Sequence, residues 1–377
     1  MTGHTATTTS RVVRTFLELA ALPSPAHQEE PAAEYVRGFL DDIGVAWTED
    51  DAAAGIPAGC GNITARIPAT AAGTPIFLCS HLDTVALEDE VVPVITDDGR
   101  ITNERDAILG SDNKAAVAVM LELLRELAAG SVPHAGVEVV FTPCEEVGLL
   151  GAKHYDTSQL AAEFGFVFDH AHDIGFVVGE APTQMSFTAT FAGAASHSGI
   201  APERGRSAIR AAAEAIARMP HGRIDERTTA NIGLIEGGTA VNIVPELCTV
   251  RGEVRSLDHE RAQTVAQDVL DTLASAANLH NVELSVDMHE EYRAYGFRAS
   301  SPVVQHAFGA LGANGYEPAL IPCGGGSDAN IFNAAGMPCV NMCNAMRNIH
   351  TRSEYIELAD LDAMMGVARS LVTSAVR

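Results

Sequence analysis

Basic residues are scarce in this sequence. Its 377 residues include 24 lysines and arginines against 49 aspartates and glutamates, a formal net charge of −25 at pH 7. Because nucleic acids and anionic membranes attract basic surfaces, this balance argues against both as partners. Cationic metal ions would be attracted instead. The remaining composition, 47% hydrophobic and 19% charged, is that of a globular protein with room for two domains.

Long apolar runs and paired cysteines are also missing. No stretch approaches the ~20 apolar residues that a membrane span needs, and the segment from Val12 to Leu22 is too short and too interrupted for a signal peptide. The seven cysteines show no paired spacing such as C-x-x-C, which fits reduced thiols. These absences predict a cytoplasmic protein.

The outer parts of the chain alternate strands with helices. Apolar strands are predicted over 62–67, 75–79, 137–142 and 164–169, with an Ala- and Leu-rich helix over 114–129. After residue 292 the pattern resumes with further helices and one more strand. Such alternation is typical of an α/β layer with a mostly parallel central sheet. We therefore predict a discontinuous α/β domain over 1–181 and 292–377.

The middle of the chain has a different pattern. Residues 184–192 alternate apolar and polar side chains like a half-exposed strand, and a helix is predicted over 207–219. Two strands, a helix over 259–278 and a last strand follow. This βαββαβ order predicts an inserted α+β, ferredoxin-like domain over 182–291.

Candidate metal ligands come directly after the predicted strands. The carboxyl ends of strands are where ligands collect in open α/β sheets. The candidates are His81, Asp112, Glu145, Glu146, Asp169 and His350, and Asp112 begins a helix. Asp83 lies two residues after His81 and can accept from its second ring nitrogen.

Taken singly, each of these residues has an ordinary explanation, such as a helix cap or a solvated surface. Taken together they do not, because acids at the ends of buried strands need partners to offset a cost of several kcal/mol. Two shared cations would satisfy them. Nitrogen and oxygen donors without thiolates predict zinc, with manganese or cobalt as substitutes.

In this order the residues resemble the peptidase T, aminoacylase and glutamate-carboxypeptidase family of di-zinc hydrolases, and especially its peptidase T-like branch. The resemblance covers essentially the whole chain and implies a phosphorylase/hydrolase-like α/β domain. It implies that Asp112 bridges two zinc ions. His81 and Asp169 would complete one site, and Glu146 and His350 the other.

The same resemblance implies a mechanism. Glu145 would act as the general base for a zinc-bound hydroxide that cleaves the amide bond, and Asp83 would orient His81. The inserted domain would form a lid and a homodimer. Within its Ser196-His197-Ser198-Gly199 run, His197 would help to stabilise the oxyanion in the neighbouring subunit.

Substrate contacts are implied in two further motifs and a glycine-rich loop. Asn242 lies in Ala-Val-Asn-Ile-Val-Pro, and Arg255 lies in Gly-Glu-Val-Arg-Ser. The loop contributes Gly325, Gly326 and Ser327. The substrate is expected to be a small peptide, and a tripeptide-type aminopeptidase is the preferred reading.

Several alternatives stay open. An N-acyl-amino-acid amidohydrolase or a carboxypeptidase would use the same di-zinc site, and a non-catalytic scaffold would be expected to have lost Glu145 or a ligand. Asn113 stands where many relatives carry a second aspartate. Asp169, in place of glutamate, favours an aminopeptidase by analogy. His170 and His172 lie close enough in sequence to compete with it as ligands.

Overall fold

A computed structural model describes residues 9–376 of the chain. Residues 1–8 and 377, which the predicted α/β domain includes, lie outside this range. The chain divides into two compact units. The first contains the chain up to Gly179, Phe297–Pro322 and the chain from Ser327 onward; the second contains Glu180–Gly296 and Cys323–Gly326.

The first part of the chain forms five helices and eight strands within the described residues. It also contains a short 3-10 turn at Thr157–Gln159. The helices are α1 (Arg11–Ala20), α2 (Glu30–Asp42), α3 (Ala52–Gly55), α4 (Ser111–Ala128) and α5 (Leu150–His154). The strands are β1 (Ala46–Glu49), β2 (Ile63–Ile67), β3 (Ile76–His81), β4 (Pro93–Ile95), β5 (Arg100–Asn103), β6 (Val137–Thr142), β7 (Phe164–His170) and β8 (Phe176–Ala181).

The middle of the chain forms an antiparallel sheet covered by two helices, with a 3-10 turn at Pro202–Arg204. Its elements are β9 (Thr183–Ala192), α6 (Ala208–Arg218), β10 (Gly222–Asp225), β11 (Thr228–Gly237), β12 (Leu247–Ser256), α7 (His259–His280), β13 (Glu283–Tyr292) and β14 (Tyr295–Gly296). The last part of the chain adds α8 (Pro302–Ala313), β15 (Ala319–Pro322), α9 (Asp328–Ala334), β16 (Cys339–Cys343), β17 (Tyr355–Glu357) and α10 (Leu358–Ser374).

The central sheet of the first unit is parallel at its centre and antiparallel at its edges. Its strands run in the order β1-β2-β6-β3-β7-β16-β8. The four strands β6, β3, β7 and β16 are parallel, whereas β1, β2 and β8 pair antiparallel with their neighbours. This confirms the predicted α/β class with a mostly parallel sheet. A separate small sheet joins β17, β5 and β4.

The core of the first unit lies between this sheet and the helices α1, α4, α8 and α10, which pack on one another. Every residue of β3 and β6 is buried. Strands covered on both faces are continuous apolar runs, as these two are. At Gly165 on β7, an added Cβ would lie 2.1 Å from the Phe77 ring, so only glycine fits there.

The second unit has the predicted ferredoxin-like order. Its sheet runs β10-β11-β12-β9-β13, and the β11–β12, β12–β9 and β9–β13 pairs are all antiparallel. Helices α6 and α7 pack together over one face, on the apolar side chains of β9 and β12. Strand β13 continues past a bulge to pair Tyr292 with Gln184.

Candidate metal centre

Five of the predicted ligands meet at one edge of the central sheet. His81 ends β3, and Asp169 is the next-to-last residue of β7. Glu146 follows β6 in the next loop, and Asp112 lies at the start of α4. His350 comes from the loop after β16 and has a positive φ of 62°. Because parallel strands bring their carboxyl ends to the same edge, residues far apart in sequence converge here.

The distances place Asp112 between two imidazoles. Its Oδ1 lies 3.2 Å from His81 Nε2, and its Oδ2 lies 3.2 Å from His350 Nε2. Asp169 Oδ1 lies 3.5 Å from His81 Nε2, on one side. Glu146 Oε1 lies 2.9 Å from His350 Nε2, on the other. One carboxylate thus faces two separate groups of donors, which is the arrangement of a shared ligand.

In the described part of the chain there are three sets of residues whose potential ligand atoms, within each set, lie within 4.8 Å of one another. Two of them are His81–Asp112–Asp169 and Asp112–Glu146–His350. The third joins His81 with Glu145 and Glu146. Glu145 therefore lies beside two of the proposed ligands, His81 and Glu146. Asp112 and His350 are not members of this third set.

The acids of this cluster lie close together and are buried or half-buried. Burial, followed by the charge of Asp169, raises the pKa of Glu145 well above its usual value. Burial also raises the pKa of Asp169, to about 8. Two divalent cations would offset this cost of gathering carboxylates, and the donors are only nitrogen and oxygen. The cluster fits bound divalent metal cations.

The pKa values of the two histidines and of Asp112 shift in the directions that favour their charged forms. Burial alone would lower the pKa of His81, but the carboxylates of Asp169 and Asp112 outweigh it and raise that pKa well above its usual value. Hydrogen bonds with Asp112 and Glu146 raise the pKa of His350 to about 10. Burial would raise the pKa of Asp112, but hydrogen bonds from both histidines lower it.

Asp83 contacts three other residues of the site, His81, Glu145 and Glu146. Its fully buried carboxylate accepts hydrogen bonds from the main-chain N–H groups of Glu145 (2.9 Å) and Glu146 (3.0 Å). His81 Nδ1 lies 2.9 Å from the main-chain oxygen of Asp83 and 3.6 Å from its Oδ1. The nearer acceptor for His81 is thus the main chain of Asp83, and its carboxylate positions the two glutamates.

Glu354 is a residue of this site that the sequence analysis missed. Its buried carboxylate accepts from the N–H groups of Leu109 and Gly110, each at 2.9 Å. It also accepts from Ser111 Oγ at 2.6 Å and from Asp112 N at 3.1 Å. Glu354 therefore fixes the turn that presents Asp112. Its place four residues after His350 was the only signal in the sequence.

Two asparagines near the end of β16 were also missed. Asn341 exchanges two hydrogen bonds with the main chain of Asp169, at 2.9 and 2.8 Å. Asn344 donates to Asn113 Oδ1 at 3.3 Å and to the oxygen of Phe168 at 3.0 Å. The Asp112–Asn113 peptide bond is cis. A polar residue inside the apolar run Cys-Val-Asn-Met-Cys was the signal that could have revealed Asn341.

The two histidines that compete with Asp169 in sequence belong to none of the three ligand sets of the described chain. The His172 ring packs against Phe176, with 4.4 Å between ring centroids. Its Nδ1 accepts from the N–H of Asp173 at 2.8 Å. His170 is largely buried, and burial lowers its pKa.

In the second unit, the loops of His197 and Asn242 lie side by side. The N–H of Ser198 donates to the main-chain oxygen of Asn242 at 3.0 Å, and His197 forms a β-bridge with Ile243. Both predicted side chains are exposed. His197 Nδ1 accepts from the N–H of Gly199 at 3.2 Å.

Arg255 lies beside the glycine-rich loop of the same unit. Its guanidinium donates to the oxygen of Gly324 at 3.2 Å and to Tyr292 Oη at 3.3 Å, and it forms an ion pair with Glu253. At Gly326 an added Cβ would lie 2.4 Å from the Tyr292 ring, so the loop needs glycine there.

Ser327 belongs to the first unit, where it precedes α9 and is buried. Its N–H donates to Asn330 Oδ1 at 3.1 Å. The main-chain N–H of Ser327 is therefore engaged in capping the helix. The predicted loop Gly325-Gly326-Ser327 is divided between the two units at this point.

Comparisons with known proteins identify the family. The peptidase family M28 model matches residues 62–182, and the M20 peptidase dimerisation domain matches residues 181–280. Uncharacterized protein YqjE of Bacillus subtilis is 35% identical over 351 residues, 93% of this chain and 94% of the relative. The chain belongs to the peptidase T-like M20 metallopeptidases.

Solved structures of other members agree with this. A tripeptidase from Staphylococcus aureus has a TM-score of 0.92 at 34% identity, covering 97% of this chain and 98% of that one. Aminopeptidase PepT from Bacillus cereus has a TM-score of 0.89 at 36% identity, with the same coverage. Peptidase T of Vibrio cholerae is 27% identical over 71% of this chain and 65% of its own length.

Membership in the family means that this metallopeptidase is a hydrolase that uses bound metal to cleave peptide bonds. Within residues 9–376, no helix of this metallopeptidase has both the length and the apolar character to cross a membrane.

Proposed function

We propose that this metallopeptidase is a di-zinc aminopeptidase that acts on short peptides such as tripeptides. The observation that carries the proposal is the position of Asp112, with one carboxylate oxygen 3.2 Å from each of two histidines. Two similar proteins, a tripeptidase and an aminopeptidase, suggest the substrate class. Manganese or cobalt could replace zinc at a site of this composition.

In this proposal, Asp112 would be a ligand of both cations. His81 and Asp169 would hold the first, and Glu146 and His350 the second. The chemistry that the bound pair supplies is polarisation of the scissile carbonyl and a lowered pKa of water. Asp83, Glu354 and Asn341 would keep the ligands in place, which is how outer partners tune metal affinity.

Glu145 is proposed as the general base. It would take a proton from the attacking water and deliver it to the nitrogen of the leaving amine. Two features support the assignment. Asp83 fixes its main chain, and burial raises the pKa of Glu145 well above its usual value.

The second unit is proposed to form the homodimer and to bind substrate. Its match to the peptidase dimerisation domain supports the first role. We propose that the exposed His197 donates to the oxyanion in the partner's active site, and that Asn242 and Arg255 contact the substrate. Gly325, Gly326 and Ser327 would line its path. As domain limits, 182 and 291 remain a prediction.

A cytoplasmic location is proposed on the state of the cysteines. All seven are free thiols in the structure, and six of them are buried. Cysteines that stay reduced are typical of proteins in a reducing compartment.

The experiment that tests this function compares four kinds of substrate. Purified protein, stripped of metal and then given zinc, is assayed on free tripeptides, free dipeptides, N-terminally blocked peptides and N-acetyl amino acids. Zinc-restored cleavage of free tripeptides, with blocked peptides spared, supports the aminopeptidase. Cleavage of acylated substrates alone would replace it by an N-acyl-amino-acid amidohydrolase, and release of the C-terminal residue would indicate a carboxypeptidase.

A further inference from the structure

Glu29 is a fully buried acid of the first unit that has no part in the proposed mechanism. It directly precedes α2. Burial of a carboxylate is costly unless hydrogen bonds or a counter-charge offset it. The groups that donate to this carboxylate therefore indicate its role.

The carboxylate of Glu29 joins three segments of the chain. Its Oε1 accepts from the main-chain N–H of His27 at 2.7 Å, and its Oε2 accepts from the N–H of Gly59 at 2.6 Å. Oε1 also accepts from Cys144 Sγ at 3.0 Å. An added Cβ at Gly59 would lie 2.6 Å from the main-chain nitrogen of Glu29, so this loop packs directly against the acid. Glu29 thus links the turn before α2, the loop at Gly59 and the turn after β6.

The turn after β6 contains the proposed general base. Cys144 immediately precedes Glu145 and is fully buried. Its φ of 56° lies in the left-handed region, which is unfavourable for a residue with a side chain and persists only where neighbouring groups hold it. Its main-chain oxygen accepts from the N–H of Leu150 at 2.9 Å, and its thiol donates to Glu29. Burial, followed by the hydrogen bond with Glu29, raises the pKa of this thiol, so it stays protonated and acts as a donor.

The main chain of Glu145 is therefore held from two directions. Asp83 accepts from its N–H at 2.9 Å, and Glu29 holds the preceding residue through the Cys144 thiol. A general base has to lie within hydrogen-bond reach of the proton that it takes, and a displacement of about 1 Å can cost roughly 10²-fold in rate. The contacts on both sides limit such a displacement.

We propose that Glu29 is a positioning residue for the general base and that it acts through the thiol of Cys144. The inference rests on the proposed role of Glu145. It adds two residues to the apparatus of the reaction, neither of which is a proposed metal ligand. The hydrogen bond between them fixes the turn from which the side chain of Glu145 projects.

The test compares Cys144→Ala, which removes the donor, with Cys144→Ser, which keeps one. In zinc-loaded protein, Cys144→Ala should lower kcat for a free tripeptide by about tenfold, because the general base is less well placed. KM and zinc content should stay as in the wild type. Cys144→Ser should recover most of the loss, because its hydroxyl can donate to Glu29.

Cys339→Ala is the matched control. Cys339 is a fully buried cysteine of β16 in the same unit, and the substitution removes the same atoms. This variant should keep the kcat of the wild type. A comparable loss of kcat in Cys339→Ala would overturn the inference, because any buried cysteine would then have the same effect.

A double-mutant cycle separates positioning from a general loss of structure. If Cys144 acts through Glu145, adding Cys144→Ala to Glu145→Gln should lower the residual kcat by less than about twofold. A merely structural role would give the same loss in both backgrounds. Glu29→Gln should behave like Cys144→Ala in this cycle, because its amide has one acceptor oxygen for three donors that now share two.

The outcomes separate this inference from the proposed function. Wild-type kcat in both Cys144→Ala and Glu29→Gln would overturn the inference, and so would equal losses in the two backgrounds of the cycle. Loss of zinc from these variants, with kcat restored at saturating zinc, would also overturn it, by assigning the network to metal binding. In each case the proposed function stands as long as Glu145→Gln is impaired. Normal turnover by Glu145→Gln would instead refute the general base itself.

Discussion

Predicted functional residues of the two units differ in their solvent exposure. In the first unit, His81 is 1% exposed and Asp112 is 6% exposed, and main-chain hydrogen bonds hold the acids that surround them. In the second unit, His197 and Asn242 are exposed on neighbouring loops. A metal site must be assembled before the metal binds, whereas a residue that contacts substrate has to remain accessible. This difference helps to predict which substitutions lower kcat and which lower metal affinity.

The largest effect is expected for Glu145→Gln in the first unit. The variant should lose about 10²–10⁴-fold in kcat, because it removes the group proposed to transfer protons. Its zinc content, measured by elemental analysis, should equal that of the wild type, since all five proposed ligands remain. Glu163→Gln, at an exposed glutamate of the same unit, is the control and should be fully active. Normal turnover by Glu145→Gln would refute the general-base assignment.

A smaller loss is expected for His197→Ala in the second unit. Removing one oxyanion donor typically lowers kcat by about 10²–10³-fold, and here it should leave metal content unchanged. His221→Ala, at another exposed histidine of that unit, should be active.

Mixing subunits tests whether His197 acts across the dimer. Inactive Asp112→Ala subunits combined with His197→Ala subunits should recover part of the activity, because one mixed site would have both intact parts. Verified heterodimers without any recovery would show that the histidine acts within its own subunit or not at all.

Glu354→Gln should weaken metal binding without removing any ligand. The amide cannot accept from all four donors that now surround the carboxylate, so the turn carrying Asp112 is less well fixed. Loss of such an outer partner typically costs about 10–100-fold in metal affinity. A zinc competition titration measures this, and kcat at saturating zinc should largely recover. Glu357→Gln, at an exposed glutamate, is the control; equal affinity in both variants would contradict the role of Glu354.

Metal uptake is also expected to depend on pH. In the metal-free protein the pKa of Asp169 is raised to about 8 and that of His350 to about 10. Both groups therefore hold protons at pH 7 that an incoming cation displaces, so affinity should rise with pH. Each released proton corresponds to about tenfold in affinity per pH unit. Calorimetry in buffers of different ionisation enthalpy counts these protons, and the same affinity at pH 6 and pH 8 would rule out the displacement.

Much of the first unit was predictable because its signals are local. Buried strands are continuous apolar runs, and an acid or histidine directly after such a run is visible in the sequence. His81, Glu146 and Asp169 each follow a strand in this way. Their convergence then follows from the parallel sheet, whose strand ends meet at one edge. Their roles as ligands, and those of the second-unit residues in binding, stay predictions.

Other parts of the site depended on contacts that leave no local pattern. Glu354 reaches the turn before α4 from 242 or more residues away in sequence. The carboxylate of Asp83, predicted to orient His81, also accepts from the N–H groups of Glu145 and Glu146, and these two contacts have no signal in the sequence. Which acceptor a donor contacts depends on how loops from different strands pack. The sequence of one strand does not specify that packing.

The sequence by itself determined the fold class, the family and the identity of the candidate ligands, because strand and helix patterns, charge and motif order are properties of neighbouring residues. Only the tertiary structure decided that Asp112 faces two histidines, that Glu354 and Asn341 hold the ligands in position, and that Glu29 contacts Cys144 next to Glu145. The physical reason is that hydrogen-bond partners are set by the packing of distant segments. That packing minimises the free energy of the whole chain and not of any one segment.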